Sequence, residues 1–216
     1  MDKYLSNEKT IEHLFADTEN IWDIEDDEEG ELSGEKFNYH FVFGNEKIVL
    51  IKAGAGGSER GYRDKYIKMA ERVHKRTGAT VITASNPIDP PFDSPDAEKI
   101  RWVASRMRFE HFELCLVGVS DGAYLNLDLA KQFPETRKWI GINTSFISIS
   151  DLEAHLNSLP NISKLMIYGT MDEDFDGVVP TLSKMSCDNF VIKFIEGADH
   201  SFTNMLDEFI SIADYI

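Results

Sequence analysis

The sequence predicts an α/β protein: a mostly parallel central sheet with helices on both faces and an antiparallel first strand pair. Three observations carry this expectation. From residue 37 onward, short runs rich in β-branched and aromatic residues alternate with longer segments of helical period. Capping residues stand at the boundaries of those longer segments. The first two β-rich runs are separated by "GNE", a hairpin-type turn.

Taken in order, the strands are read at "FNYHFVF" and "KIVLIKA", then at "ATVITAS", "FELCLVGV", "KWIGIN", "KLMIYG" and "FVIKFIE". Helices are expected near residues 61–77, 95–109, 121–133, 178–186 and 201–214. Gly78 closes the first of these, and Ser94 followed by Pro95 is an N-cap with proline at the first helical position. Ser150 and Glu153 have the spacing of a capping box ahead of "LEAHLNSL", which predicts a short extra helix after "KWIGIN".

A chain of 216 residues with 42% hydrophobic and 11% aromatic residues can bury one substantial core. The net charge of −16 argues against a nucleic-acid partner, because phosphate backbones are met by Lys and Arg. That charge is uneven. Residues 1–35 hold 13 Asp or Glu against 2 Lys, so the rest of the chain is nearly balanced. The organisation expected is therefore an acidic N-terminal extension over residues 1–34, able to dock its apolar residues on the core, and one folded domain over 35–216.

Apolar runs are short and the start "MDKYLSNEKT" has no signal-peptide stretch, so a cytoplasmic protein without membrane insertion is expected. Cys115, inside "ELCLVGV", reads as a small core hydrophobe, and with Cys187 it forms neither a disulfide framework nor a zinc spacing. No metal site and no cofactor is predicted.

The chemistry concentrates at "LVGVSDGAYL". Gly118, Ser120 and Gly122 form G-x-S-x-G where a strand turns into a helix. Such a turn lifts the serine hydroxyl clear of the sheet, and side chains at the glycine positions would collide with neighbouring backbone. A serine is a weak nucleophile until a base takes its proton, so a histidine and an orienting carboxylate are required downstream. Asp172 and Asp174 follow "KLMIYG", and His200 follows "FVIKFIE". The other histidines, His13, His40, His74, His111 and His155, read as structural or exposed. "AGAGG" lacks both the G-K-S/T ending of a phosphate loop and the G-x-G-x-x-G spacing of a dinucleotide site.

With serine, acid and histidine in this order, residues 37–216 resemble an α/β-hydrolase-fold serine hydrolase of the carboxylesterase or thioesterase kind. The resemblance implies G-x-x-D from Gly169 to Asp172 and G-x-x-H from Gly197 to His200. It thereby favours Asp172 as the acid, with Asp174 as the alternative and Asp151 a third candidate. It also implies an oxyanion hole from the backbone N–H groups of Ala55 and Asp121. The chain departs from the family's H-G-x-G-G signature, because Ala53 stands where a histidine is common, so the bonds that brace this loop must be missing or replaced.

Only residues 144–163 separate "KWIGIN" from "KLMIYG", room for a short helix but no cap domain. An open site is expected, with Phe92, Phe146, Ile147, Met171 and Phe175 as candidate lining. The function expected is hydrolysis of a small-molecule ester or thioester through an acyl-enzyme. A peptidase or acyltransferase on the same scaffold, or a catalytically silent ligand-binding protein, are the competing readings.

Overall fold

The computed structural model describes residues 37–87, 94–146, 148–182 and 184–216, without the side chain of Thr181. The expectations for the extension over 1–34, His13, Phe92 and Ile147 lie outside the described residues. Among the described residues seven strands make one sheet: β1 (Tyr39–Val42), β2 (Asn45–Lys52), β3 (Ala79–Ala84), β4 (Glu113–Val119), β5 (Thr136–Ile142), β6 (Ser163–Gly169) and β7 (Phe190–Ile195). Their spatial order is β1-β3-β2-β4-β5-β6-β7, with every pairing parallel except β1 against β3.

Alternation along the strands divides the core between two faces. In β4, Leu114 and Leu116 point into one cluster, while Cys115, Val117 and Val119 point into the other. The first face is covered by α2 (Asp96–Met107), α3 (Asp121–Gln132), α4 (Ile149–Asn157) and α5 (Phe175–Leu182), through residues such as Ile100, Leu127, Leu152 and Leu182. The second is covered by α1 (Lys65–Thr77) and α6 (Leu206–Ser211), through Met69, Val73 and Phe209. Both layers and the antiparallel first strand are those expected. Cys115 is a core residue whose thiol burial pushes up to about 12. Among the described residues no helix is long and apolar enough to cross a membrane.

The antiparallel partner of β1 is not β2, so the hairpin expected from "GNE" does not form. A Cβ on Gly44 would lie 2.1 Å from the Gly78 carbonyl oxygen and 2.6 Å from that of Ala79. The chain therefore passes tightly across the start of β3, where Asn45 N–H bonds to Gly78 O at 2.7 Å. β2 then pairs on the other side of β3, parallel to it.

Helix ends differ from the expected ones for local reasons. Before α1 the chain makes a 3₁₀ turn (Tyr62–Asp64), with Gly61, Arg63 and Asp64 all at positive φ, and Gly78 ends α1 in the left-handed conformation as expected. Ser94 does not cap α2, its hydroxyl being taken by Lys52. The cap of α4 is Ser148, which accepts the Asp151 N–H, and not Ser150. α5 starts earlier than expected, where the Asp174 carbonyl accepts from Gly177 and Val178, and stops at Leu182, whose carbonyl takes the Met185 N–H. After His200 two tight turns, closed by Phe202 N–H to Asp199 O and Met205 N–H to Phe202 O, delay α6 to Leu206.

Candidate active site

Ser120 sits between the last residue of β4 and the first of α3, with φ 52° and ψ −126°, a conformation a residue with a Cβ adopts only under constraint. The flanking glycines show the constraint. A Cβ on Gly118 would be 2.4 Å from Ala123 Cα, and one on Gly122 would be 2.1 Å from the Ala53 carbonyl oxygen. Ser120 N–H bonds to Ile142 O at 2.8 Å and its carbonyl accepts from Ala123 at 3.0 Å, so the sheet and the new helix fix the turn from both sides. Its hydroxyl lies at the N-terminus of α3, where backbone N–H groups lack helical partners and the dipole favours negative charge.

The loop after β2 reaches the same point. A Cβ on Gly54 would meet Ser120 Cβ at 3.0 Å. The loop closes through Gly57 N–H to Gly54 O at 2.9 Å and is tied to the segment after β3 by Asn86 N–H to Gly57 O at 2.9 Å. Ala55 at its tip is exposed, whereas Ala53 at its root is fully buried.

Asp172 and His200 come from neighbouring loops at the ends of β6 and β7. The Asp172 side chain is 1% exposed and that of His200 38%, and His200 Nδ1 donates to Asp172 Oδ2 at 2.7 Å. An ionised carboxylate only accepts, so in the neutral imidazole this bond selects the tautomer with the proton on Nδ1 and the lone pair on Nε2. Asp172 Oδ1 accepts the backbone N–H of Asp174 at 2.9 Å. Asp174 thus contributes its main chain to the setting of Asp172. Asp151 is engaged elsewhere, accepting from Tyr124 Oη on the α3–α4 side.

The two loops are laced together. Met171 N–H bonds to Ala198 O at 2.9 Å, Gly197 N–H to Thr170 Oγ1 at 2.9 Å, and a Cβ on Gly169 would lie 2.2 Å from Ala198 O. Asn143, buried at the end of β5 with φ 44°, joins them: its Nδ2 donates to the His200 carbonyl at 3.0 Å and its Oδ1 accepts from Gly169 at 2.9 Å. From the other side Lys65 Nζ donates to Ser201 O at 3.0 Å, and burial pushes this ammonium down to about 8 against the opposing pull of Asp199.

The hydroxyl of Ser120 bonds to Ser145 Oγ at 2.9 Å, on the loop after β5. Ser145 and Asn143 were not singled out from the sequence, because nothing within a few residues of them announces a partner so far along the chain. Among the described residues, the other histidines are engaged elsewhere: His74 Nδ1 bonds to Ala79 O at 2.8 Å, His155 faces Asp128 and Asp151, His40 is buried, and His111 is exposed. Met171 is 69% exposed, and Phe175 packs edge-on against Phe194.

No protein-family model and no curated protein matches the sequence. Solved structures match the fold. Est1E from Butyrivibrio proteoclasticus superposes with a TM-score of 0.62 at 14% identity, over 86% of this chain and 94% of that one. An α/β serine hydrolase homologue from Coxiella burnetii gives 0.60 at 14% identity over 82% and 90%. XC6422 from Xanthomonas campestris, described as an α/β serine hydrolase without a lid, gives 0.57 at 19% identity over 83% and 87%. The sheet order, the flanking layers and these superpositions together give this chain the α/β-hydrolase fold.

Proposed function

We propose that this protein is a serine hydrolase that cleaves small-molecule carboxylic esters or thioesters through an acyl-enzyme. The observation that carries the reading is the hydrogen bond of His200 Nδ1 to buried Asp172, beyond the C-terminal ends of the same parallel strands as the strained Ser120 turn. Asp172 orients the imidazole and stabilises the imidazolium that forms, so Nε2 acts as the base. Ser120 Oγ attacks the carbonyl carbon, its proton passing to His200 Nε2. The backbone N–H groups of Ala55 and Asp121 receive the oxyanion. His200 then returns the proton to the departing alcohol or thiol as the C–O or C–S bond breaks. Water, deprotonated by the same histidine, releases the acid and restores Ser120.

In the free enzyme the Ser120 hydroxyl rests on Ser145. Catalytic hydrogen bonds commonly tighten only when substrate is bound, and the reading requires the Ser120 hydroxyl to exchange Ser145 for His200 at that point. The short α4 between β5 and β6 leaves no room for a cap, which supports an open acyl pocket. Glu173, Asp174 and Asp176 favour neutral or cationic substrates by electrostatic steering, and Arg60 and Arg63, close to the oxyanion loop, act in the opposite sense.

A fluorophosphonate probe tests the reading. It should label wild-type protein and not Ser120→Ala, and p-nitrophenyl acetate hydrolysis should fall by about 1,000-fold or more in His200→Ala. A folded wild-type protein that takes no label and turns over no ester refutes it. A feruloyl ester belongs in the substrate panel, since Est1E has been solved with ferulic acid bound. Thioesters and amides in that panel separate the esterase from thioesterase and peptidase activities.

A further inference from the structure

We propose that Lys52 is a positioning residue for the oxyanion loop, bracing through a buried ion pair with Asp96 the loop root at which Ala53 offers no side chain to do so. The inference rests on the hydrolase reading.

Lys52 is the last residue of β2 and is fully buried. It is in register with Ala84 of β3 and Gly118 of β4, so it stands between the strand that leads to Asn86 and the strand that delivers Ser120. Its stem lies against the Ser120 turn: a Cβ on Gly122 would come within 2.9 Å of Lys52 Cγ. Its ammonium lies 2.7 Å from Asp96 Oδ2, 3.0 Å from Ser94 Oγ and 3.2 Å from Ser85 O, with the Phe37 ring 5.3 Å away. Asp96, in the first turn of α2, also accepts from Tyr39 Oη at 2.7 Å, and burial with the Asp96 charge holds that phenol far above its ordinary value.

An ion pair buried this deeply contributes little to net stability compared with apolar residues of the same volume, because both charges are removed from water. What it imposes is geometry. The three acceptors of the ammonium belong to the end of β3 and the start of α2. The loop Ala53–Gly57 begins at the very next residue and ends on Asn86, one residue beyond the Ser85 carbonyl that Lys52 holds. Both roots of the loop are thus fastened to residues 85–86, and the loop's approach to Ser120 follows from that fastening. Displaced donors are costly because an oxyanion hole works by being set in advance of the reaction.

The test uses full-length protein and two variants. Lys52→Met with Asp96→Asn removes both charges together and nearly keeps buried volume. Asp96→Asn alone keeps an acceptor for Lys52 and a partner for Tyr39 but loses the charge. Hydrolysis of p-nitrophenyl acetate should show kcat lower by about tenfold or more with KM within about twofold, as expected for misplaced transition-state donors. Amide hydrogen exchange should accelerate at residues 53–57 in both variants and remain unchanged across β4–β6. Wild-type kcat together with unchanged exchange at residues 53–57, in either folded variant, overturns the inference. Should the double variant fail to fold, Asp96→Asn alone decides by the same readouts. Loop exchange is measurable even in a protein that hydrolyses nothing, whereas failure of wild type to label or turn over refutes the hydrolase reading itself.

Discussion

Ser145 Oγ lies 2.9 Å from Ser120 Oγ, so the hydroxyl at the strained turn is held by a second hydroxyl from the loop after β5. In the hydrolase reading, this bond competes with the one that His200 must form. Removing it frees the nucleophile. A net neutral hydrogen bond is worth about 1 kcal/mol, so Ser145→Ala should raise the fluorophosphonate labelling rate by up to about fivefold. The second-order labelling rate constant measures this. A fall instead would show that Ser145 assists Ser120.

Asp172 and Asp174 have unequal positions toward His200. Asp172 is buried and accepts from the imidazole, whereas Asp174 meets Asp172 through its backbone N–H. Asp172→Asn should therefore lower kcat by about 10,000-fold, the scale of losing the orienting carboxylate. Asp174→Asn leaves its N–H in place and should stay within about twofold of wild type, as surface changes usually do. Steady-state hydrolysis of p-nitrophenyl acetate separates them, and a reversed order would transfer the role to Asp174.

Lys65 gives the folded state a pH signature. Burial lowers its ammonium from 10.5 to about 8, so the folded protein releases this proton before the unfolded chain does. Between those values the unfolded state binds more protons, and stability from this residue rises with pH. Below about 8 both states are protonated and the full desolvation cost is present. The unfolding free energy of Lys65→Met minus that of wild type should therefore fall by about 2 kcal/mol between pH 7.5 and 10. Urea melts at the two pH values provide the measurement. A difference independent of pH would mean that Lys65 keeps its ordinary proton affinity.

What the sequence determined by itself is whatever acts over a few neighbouring residues. Short runs rich in β-branched and aromatic residues located the seven strands of the described residues, and the glycine spacing around Ser120 foretold a turn with no room for side chains at Gly118 and Gly122. Gly78 marked the end of α1 for the same kind of local reason, a left-handed conformation that suits glycine. Where several local signals competed, the choice was wrong by a residue or two: Ser148 and not Ser150 caps α4, because only the packed helix shows which hydroxyl meets a free N–H.

Tertiary structure decided which distant groups meet. β1 found β3 instead of the adjacent β2, Ser120 found Ser145, Asn143 joined the two loops beyond β6 and β7, and Lys52 found Asp96. No periodicity or capping rule encodes such pairings. They depend on sheet order and on the cost of leaving a buried polar group without a partner, and both exist only once the chain has closed around its core.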